Sequence, residues 1–121
     1  MAQLDFIYQP IKITAGSNES SLAKIKGNTL IGFIFPIGFE GATVTIKGRL
    51  GRDFSTGGTT GPYSVVDPTT GNAITVYTGG TGGTMVPITA ADLSCLQYFT
   101  LVSDTAVAAD REIIVIARPT A

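Results

Sequence analysis

Residues 42–50 read Ala42-Thr43-Val44-Thr45-Ile46-Lys47-Gly48-Arg49-Leu50, and this stretch decides the fold. Val44 and Ile46, continued by Gly48 and Leu50, fall on one side of an extended chain, while Thr43, Thr45, Lys47 and Arg49 fall on the other until a bulge permits a switch. A period of two describes a strand with one face in a core and one toward water. The same chemistry recurs outward from it. LIGFIF (30–35), AITVYT (73–78), QYFTLV (97–102) and REIIVIAR (111–118) are rich in β-branched and aromatic residues, and Gly, Pro, Asn and Asp punctuate them about every ten residues. The last two are apolar on both faces, which predicts central positions or a covering partner. LDFIY (4–8), PIKIT (10–14) and PYSVV (62–66) are weaker candidates, and MVPI (85–88) looks like a strand of the same sheet system as AITVY.

Helical periodicity is nearly absent. One short helical turn is attractive in TAADLSCL (89–96), where Thr89 can cap, Ala90 and Ala91 favour helix and Asp92 lies in the first turn. Eight or nine strands with at most one such turn predict an all-β fold, an antiparallel β-sandwich of jelly-roll type. At 121 residues, with no composition shift and no fixed-period repeat, the chain is expected to form one domain over residues 1–121. The opening ten residues form a possible extended N-terminal arm. Leu4, Phe6, Ile7 and Tyr8 make it too apolar for a solvated tail, so it either pairs as an edge strand or reaches onto a neighbour.

Charged residues make up 14% of the chain, against about 25% in an average soluble domain, and the mean hydropathy is +0.32. So little charge predicts that part of the surface is covered by copies of the chain or by a larger assembly. Eight Lys and Arg against nine Asp and Glu give a net charge of -1, which supplies no basic field for nucleic acid. The apolar runs are shorter than a bilayer span, and MAQLDFIYQP lacks the pattern of a secretion signal, so neither a membrane nor a secretory role is expected. Cys95 is the single cysteine and is read as a buried thiol.

Catalysis near neutral pH usually needs a group that exchanges protons there, and the chain has no histidine. Ser-His-Asp and Cys-His arrangements are thereby excluded, as are the usual zinc sites, and no serine stands in a recognisable spacing to a lysine. The expectation is a protein that is not an enzyme and carries no cofactor or metal. DPTTGN (67–72) lacks the spaced acids of a calcium loop and reads as a turn, with Asp67 bonding the backbone two residues on.

Lys47, Arg49 and Arg52 concentrate three cations in six residues. They form either a solvated face or a docking patch for acidic groups on another protein. Asp110-Arg111-Glu112 is a second cluster: alternation sets Arg111 opposite its neighbours, either buried against a carboxylate or marking the strand's edge. YTGGTGGTM (77–85) leads into a proline-containing extended segment with no lysine, unlike a phosphate loop. It is read as a loop tip whose Gly82 and Gly83 supply positive backbone angles and leave room for a neighbour.

Taken in order, the AGSNES entry (15–20), LIGFIFP (30–36), GFEGATVTIKGRLGRDF (38–54), VVDPTTGNAITVYTGG (65–80), MVPITAADLSCLQYFTLVS (85–103) and TAVAADREIIVIARP (105–119) make a succession that resembles small tailed-bacteriophage virion proteins, the capsid decoration or cement proteins. The resemblance runs from about Ile11 to Pro119, and its most specific piece is Ala109-Asp110-Arg111 entering an Ile/Val strand that ends in Ala117-Arg118-Pro119. The segment 48–54 departs from the pattern, where such proteins often carry a Ser and an Asp-Gly turn. The resemblance implies a jelly roll or β-sandwich, commonly a homotrimer, seated on the outer capsid surface of a virion after synthesis in the host cytoplasm. It implies the major capsid protein as partner, clamped by binding rather than catalysis. Leu4, Phe6, Tyr8, Lys47, Arg49, Arg52, Gly82, Gly83, Asp110 and Arg111 are the candidate capsid or subunit contacts. A sugar-binding module, or a tail or head-fibre component on the same scaffold, is the alternative; exposed aromatics such as Phe54, Tyr63 and Tyr77 near loops would serve the sugar reading.

Overall fold

In the computed structural model the described residues are 5–25, 27–49, 63–79, 82–88 and 96–119. They contain nine strands and no helix: β1 (Ile7–Ile13), β2 (Ala23–Lys24), β3 (Asn28–Phe35), β4 (Thr43–Arg49), β5 (Tyr63–Ser64), β6 (Thr75–Thr78), β7 (Thr84–Pro87), β8 (Tyr98–Ser103) and β9 (Arg111–Pro119). The expected helical turn and Cys95 fall in 89–95, outside the described residues.

All pairings are antiparallel. The first sheet has the order β1-β9-β3-β7; the second has β2-β8-β4, with β5 and β6 both on the far edge of β4. Tyr63 and Ser64 pair with Gly48 and Lys47, and Thr75 to Thr78 continue along Thr45 to Thr43. Together β5 and β6 therefore act as one edge strand, interrupted by a hairpin that closes at the Val66–Ala73 bridge. Its turn is built as expected: the Thr69 amide donates to Asp67 Oδ1 at 2.8 Å and the Gly71 amide to the Asp67 carbonyl at 2.7 Å.

Alternation in β4 holds: Val44 and Ile46 are buried in the core, while Thr43, Thr45, Lys47 and Arg49 are half-exposed on the outer side. β8 and β9, apolar on both faces, are interior strands of their sheets. The two candidate stretches LDFIY and PIKIT are joined between Ile7 and Ile13 as the single strand β1, so residues 7–10 are an edge strand paired with Ala117 to Ile114 and not a free arm. Backbone pairing of an apolar segment onto β9 removes its amides from water. β2 is a strand that periodicity did not predict. It is two residues long and follows the polar run SNESS, yet the segment is sewn to β8 by Ser103 N to Asn18 O at 2.7 Å, Ser20 N to Leu101 O at 2.9 Å and Ile25 N to Gln97 O at 2.8 Å.

The two sheets share one hydrophobic cluster. Phe33 of β3 meets Phe99 of β8 edge to face, with ring centroids 6.0 Å apart, and Phe35 lies 4.2 Å from Tyr77 of β6. These contacts cross between the sheets and make the fold a sandwich.

Candidate functional site

Each candidate residue inherits its surroundings from strand parity. Ile11, Ile13, Ile113 and Val115 face the core, so Tyr8, Pro10 and Lys12 of β1 and Glu112, Ile114 and Ile116 of β9 face outward from the first sheet. Register extends these into rows. Tyr8, Ile116, Gly32 and Pro87 form one, and Pro10, Ile114, Ile34 and Met85 the next. Lys12 and Glu112 stand at one border and Arg118 at the other.

The result is an apolar outer face with a groove of about 260 Å³, lined by Phe6, Tyr8, Ile31, Gly32, Met85, Val86, Pro87 and Ile116. Gly32 makes the hollow. A methyl group there would lie 2.9 Å from the Val86 carbonyl oxygen, and the register shift between Leu30 and Gly32 turns Ile31 aside. Tyr8 is 59% exposed, Phe6 52% and Met85 67%. Of the lining side chains only Tyr8 carries a hydrogen-bonding group.

The second sheet's outer face differs in kind. Arg49 Nη2 donates to Glu19 Oε2 at 3.0 Å, and Thr100 Oγ1 donates to the same oxygen at 2.7 Å. The Thr100 hydroxyl first, then the Arg49 guanidinium, hold the Glu19 carboxyl below its usual range. Arg49 is thus engaged within its own chain and Lys47 stands beside the network; Arg52, like Leu4, lies outside the described residues.

At one end of the sandwich carboxylates tie the connecting loops together. Arg111 Nε donates to Glu40 Oε1 at 2.9 Å and the Ala108 amide donates to Glu40 Oε2 at 2.7 Å. The two bonds, Arg111 first, hold the Glu40 carboxyl down at about 2. Of the two fates open to Arg111, the structure thus takes the carboxylate pairing, with its side chain largely covered. Asp110 Oδ1 accepts from the Ala15 amide at 2.8 Å, with Lys12 Nζ 3.7 Å from Oδ2. Asp104 accepts from the backbone amides of Thr43 and Ala42, which lower its carboxyl.

Gly82 and Gly83 belong to this same end, at φ of +70° and +68°. The Gly82 amide donates to the Tyr77 hydroxyl at 3.0 Å, and a methyl group at Gly82 would overlap the Pro36 carbonyl oxygen. The close approach that the glycines permit is therefore to the chain's own 36–39 turn. Tyr77 is buried, which removes it from the loop aromatics a sugar could meet; Phe54 lies outside the described residues and Tyr63 is exposed.

The structure gathers Phe6 and Tyr8 on one face, Lys47 and Arg49 on the opposite one, and Gly82, Gly83 and Arg111 around the 36–42 loop. Sequence reading missed Met85, Ile116 and Gly32 on the apolar face and Glu40 and Glu19 as ion-pair partners. The two-sided apolarity of REIIVIAR was the signal for Ile116; the cross-strand neighbours had none. Among the described residues no cluster of three or more Cys, Asp or Glu could hold a metal ion, and no helix is long and apolar enough to cross a membrane. Comparison with known protein families, with curated proteins and with solved structures finds no match.

Proposed function

We propose that this chain is a structural virion protein that decorates the outer capsid surface of a tailed phage and stabilises it by clamping neighbouring major capsid subunits. The observation that carries this reading is the apolar outer face of the first sheet, rigidly backed by a shared core and offering contact area without reactive groups. Such a surface acts by burial, and many copies add avidity to individually modest contacts. The strand order supports a jelly-roll type: apart from β4 to β6, which stay in the second sheet, successive strands pass back and forth between the sheets, and early and late strands interleave in each. The protein is made in the host cytoplasm and works as a homo-oligomer, the trimer being the form that the family resemblance implies.

Exposed Phe6 and Tyr8 beside a groove favour a sugar as the second ligand class. Sugars also require several directed hydrogen bonds, and a lining whose one polar side chain is Tyr8 suits an apolar protein surface better. Quantitative mass spectrometry of purified virions tests the reading. Several hundred copies per particle, in fixed ratio to the major capsid protein, are expected; a dozen or fewer would move the protein to a tail or fibre, and absence would overturn the virion role.

A further inference from the structure

Three connecting loops meet at the end of the sandwich where Glu40 lies: 14–18 after β1, 36–42 between β3 and β4, and 104–110 between β8 and β9. Two seams join them, and their chemistry differs. The 14–18 loop is sewn to the 104–110 loop by main chain, the Gly16 amide donating to the Val107 carbonyl at 2.8 Å and the Val107 amide to the Ser17 carbonyl at 3.0 Å. Those bonds are indifferent to pH. The 36–42 loop is held by carboxylates in a reciprocal pair: Asp104 Oδ1 accepts from the Ala42 amide at 2.9 Å, and Glu40 Oε2 accepts from the Ala108 amide at 2.7 Å while Oε1 takes Arg111. Among the described residues the one main-chain bond beside this seam, from the Asp104 amide to the Thr43 carbonyl, sits at its border, where β4 begins. Each loop also sends an apolar side chain into the core. Phe39 is fully buried, its ring centroid 5.3 Å from that of Phe35 and 5.5 Å from that of Tyr77, and Val107 is buried with it.

We propose that the seam between the 36–42 and 104–110 loops is an acid-released clasp: protonation of Glu40 and Asp104 frees the 36–42 turn, which swings out and uncovers Phe39, while the sandwich and the 14–18 seam stay closed. A carboxylate accepts an amide hydrogen bond more strongly than the neutral acid does, and only its charged form pairs with Arg111, which keeps its own charge throughout.

Both carboxyls are held below their ordinary range in the closed form, Glu40 by Arg111 first and then the Ala108 amide, Asp104 by the amides of Thr43 and Ala42. The closed form therefore binds these protons less readily than the open one, so acid favours opening. The clasp is intact above about 4.5 and gives way as pH falls toward 2. The other charges at this end are engaged with one another: Lys12 Nζ lies 3.7 Å from Asp110 Oδ2, and Glu112 is the cross-strand neighbour of Lys12. Because the chain has no histidine, no side chain of ordinary pKa titrates between about pH 5 and 8, and the clasp is silent there. It involves neither the outer face of the first sheet nor the virion reading.

Amide hydrogen exchange of the full chain, followed by NMR from about pH 6 to about pH 3, tests this. Protection of Ala42 and Ala108, corrected for intrinsic exchange, is expected to fall at least about tenfold over that range, while Gly16 and Val107 keep theirs and the spectrum stays dispersed. Glu40→Gln, which retains the shape without the charge, should show the lower protection of Ala108 already at neutral pH. Asp67→Asn, in the β5–β6 hairpin, should behave as the parent. Unchanged protection of Ala42 and Ala108 in acid would overturn the proposal, as would a parallel loss at Gly16 and Val107, which marks unfolding of the whole end, or an equal effect of Asp67→Asn. If Glu40→Gln fails to fold, an apolar fluorescent dye added to the parent protein decides. A reversible rise in its signal on acidification, with far-ultraviolet circular dichroism unchanged, supports the clasp, and no rise sinks it.

Discussion

A methyl group at residue 82 has nowhere to go: the Pro36 carbonyl oxygen already occupies its place, and the backbone there has φ of +70°. Gly27 has a similar angle, +80°, but open space around it. Gly27→Ala therefore introduces only backbone strain, about 1–2 kcal/mol, whereas Gly82→Ala adds a clash with main chain and is expected to cost visibly more. Urea titration of the two variants checks the order; equal losses would mean that close approach is unimportant. The sequence revealed that this run needed glycine. It did not reveal which contact required it, because Pro36 and Gly82 meet only when the loops at one end of the sandwich converge.

At the scale of elements, β8 and β3 join the sheets through Phe99 and Phe33, both fully buried. Phe99→Ala removes an interior ring from each partner's contacts and is expected to cost about 3–5 kcal/mol. Thermal unfolding should register it, while Met85→Ala on the exposed face should leave the transition of dilute protein within about 0.5 kcal/mol of the parent. Strands such as β4 were legible because threonine, valine and isoleucine alternate without interruption. β2 was not, because Ala23 and Lys24 owe their extended form to the amides and carbonyls of β8 rather than to any pattern of their own. The apolar character of the opening segment was legible, but the pairing of residues 7–10 with β9, 100 or so residues along the chain, is a long-range choice.

For the whole molecule, the loop end is held by carboxylates whose pKa values are lowered, Glu40 from 4.5 to about 2. A depressed folded-state pKa means that the unfolded chain takes up the proton more readily. The contribution is therefore complete above about 4.5 and disappears as pH falls toward 2. Thermal unfolding temperature should decline through that window, and Glu40→Gln should flatten the decline while lowering stability at neutral pH. An unchanged slope in Glu40→Gln would show that the Arg111–Glu40 latch does not contribute. By itself the sequence determined the class of fold, through the period of two, and the poverty of proton-transfer chemistry, through the absence of histidine. Only the tertiary structure decided which charges are engaged internally and which face is apolar. Arg49 and Glu19, or Arg111 and Glu40, find one another across sheets and loops, and Tyr8, Ile114, Ile34 and Met85 become one surface only when four strands distant in sequence lie side by side in register.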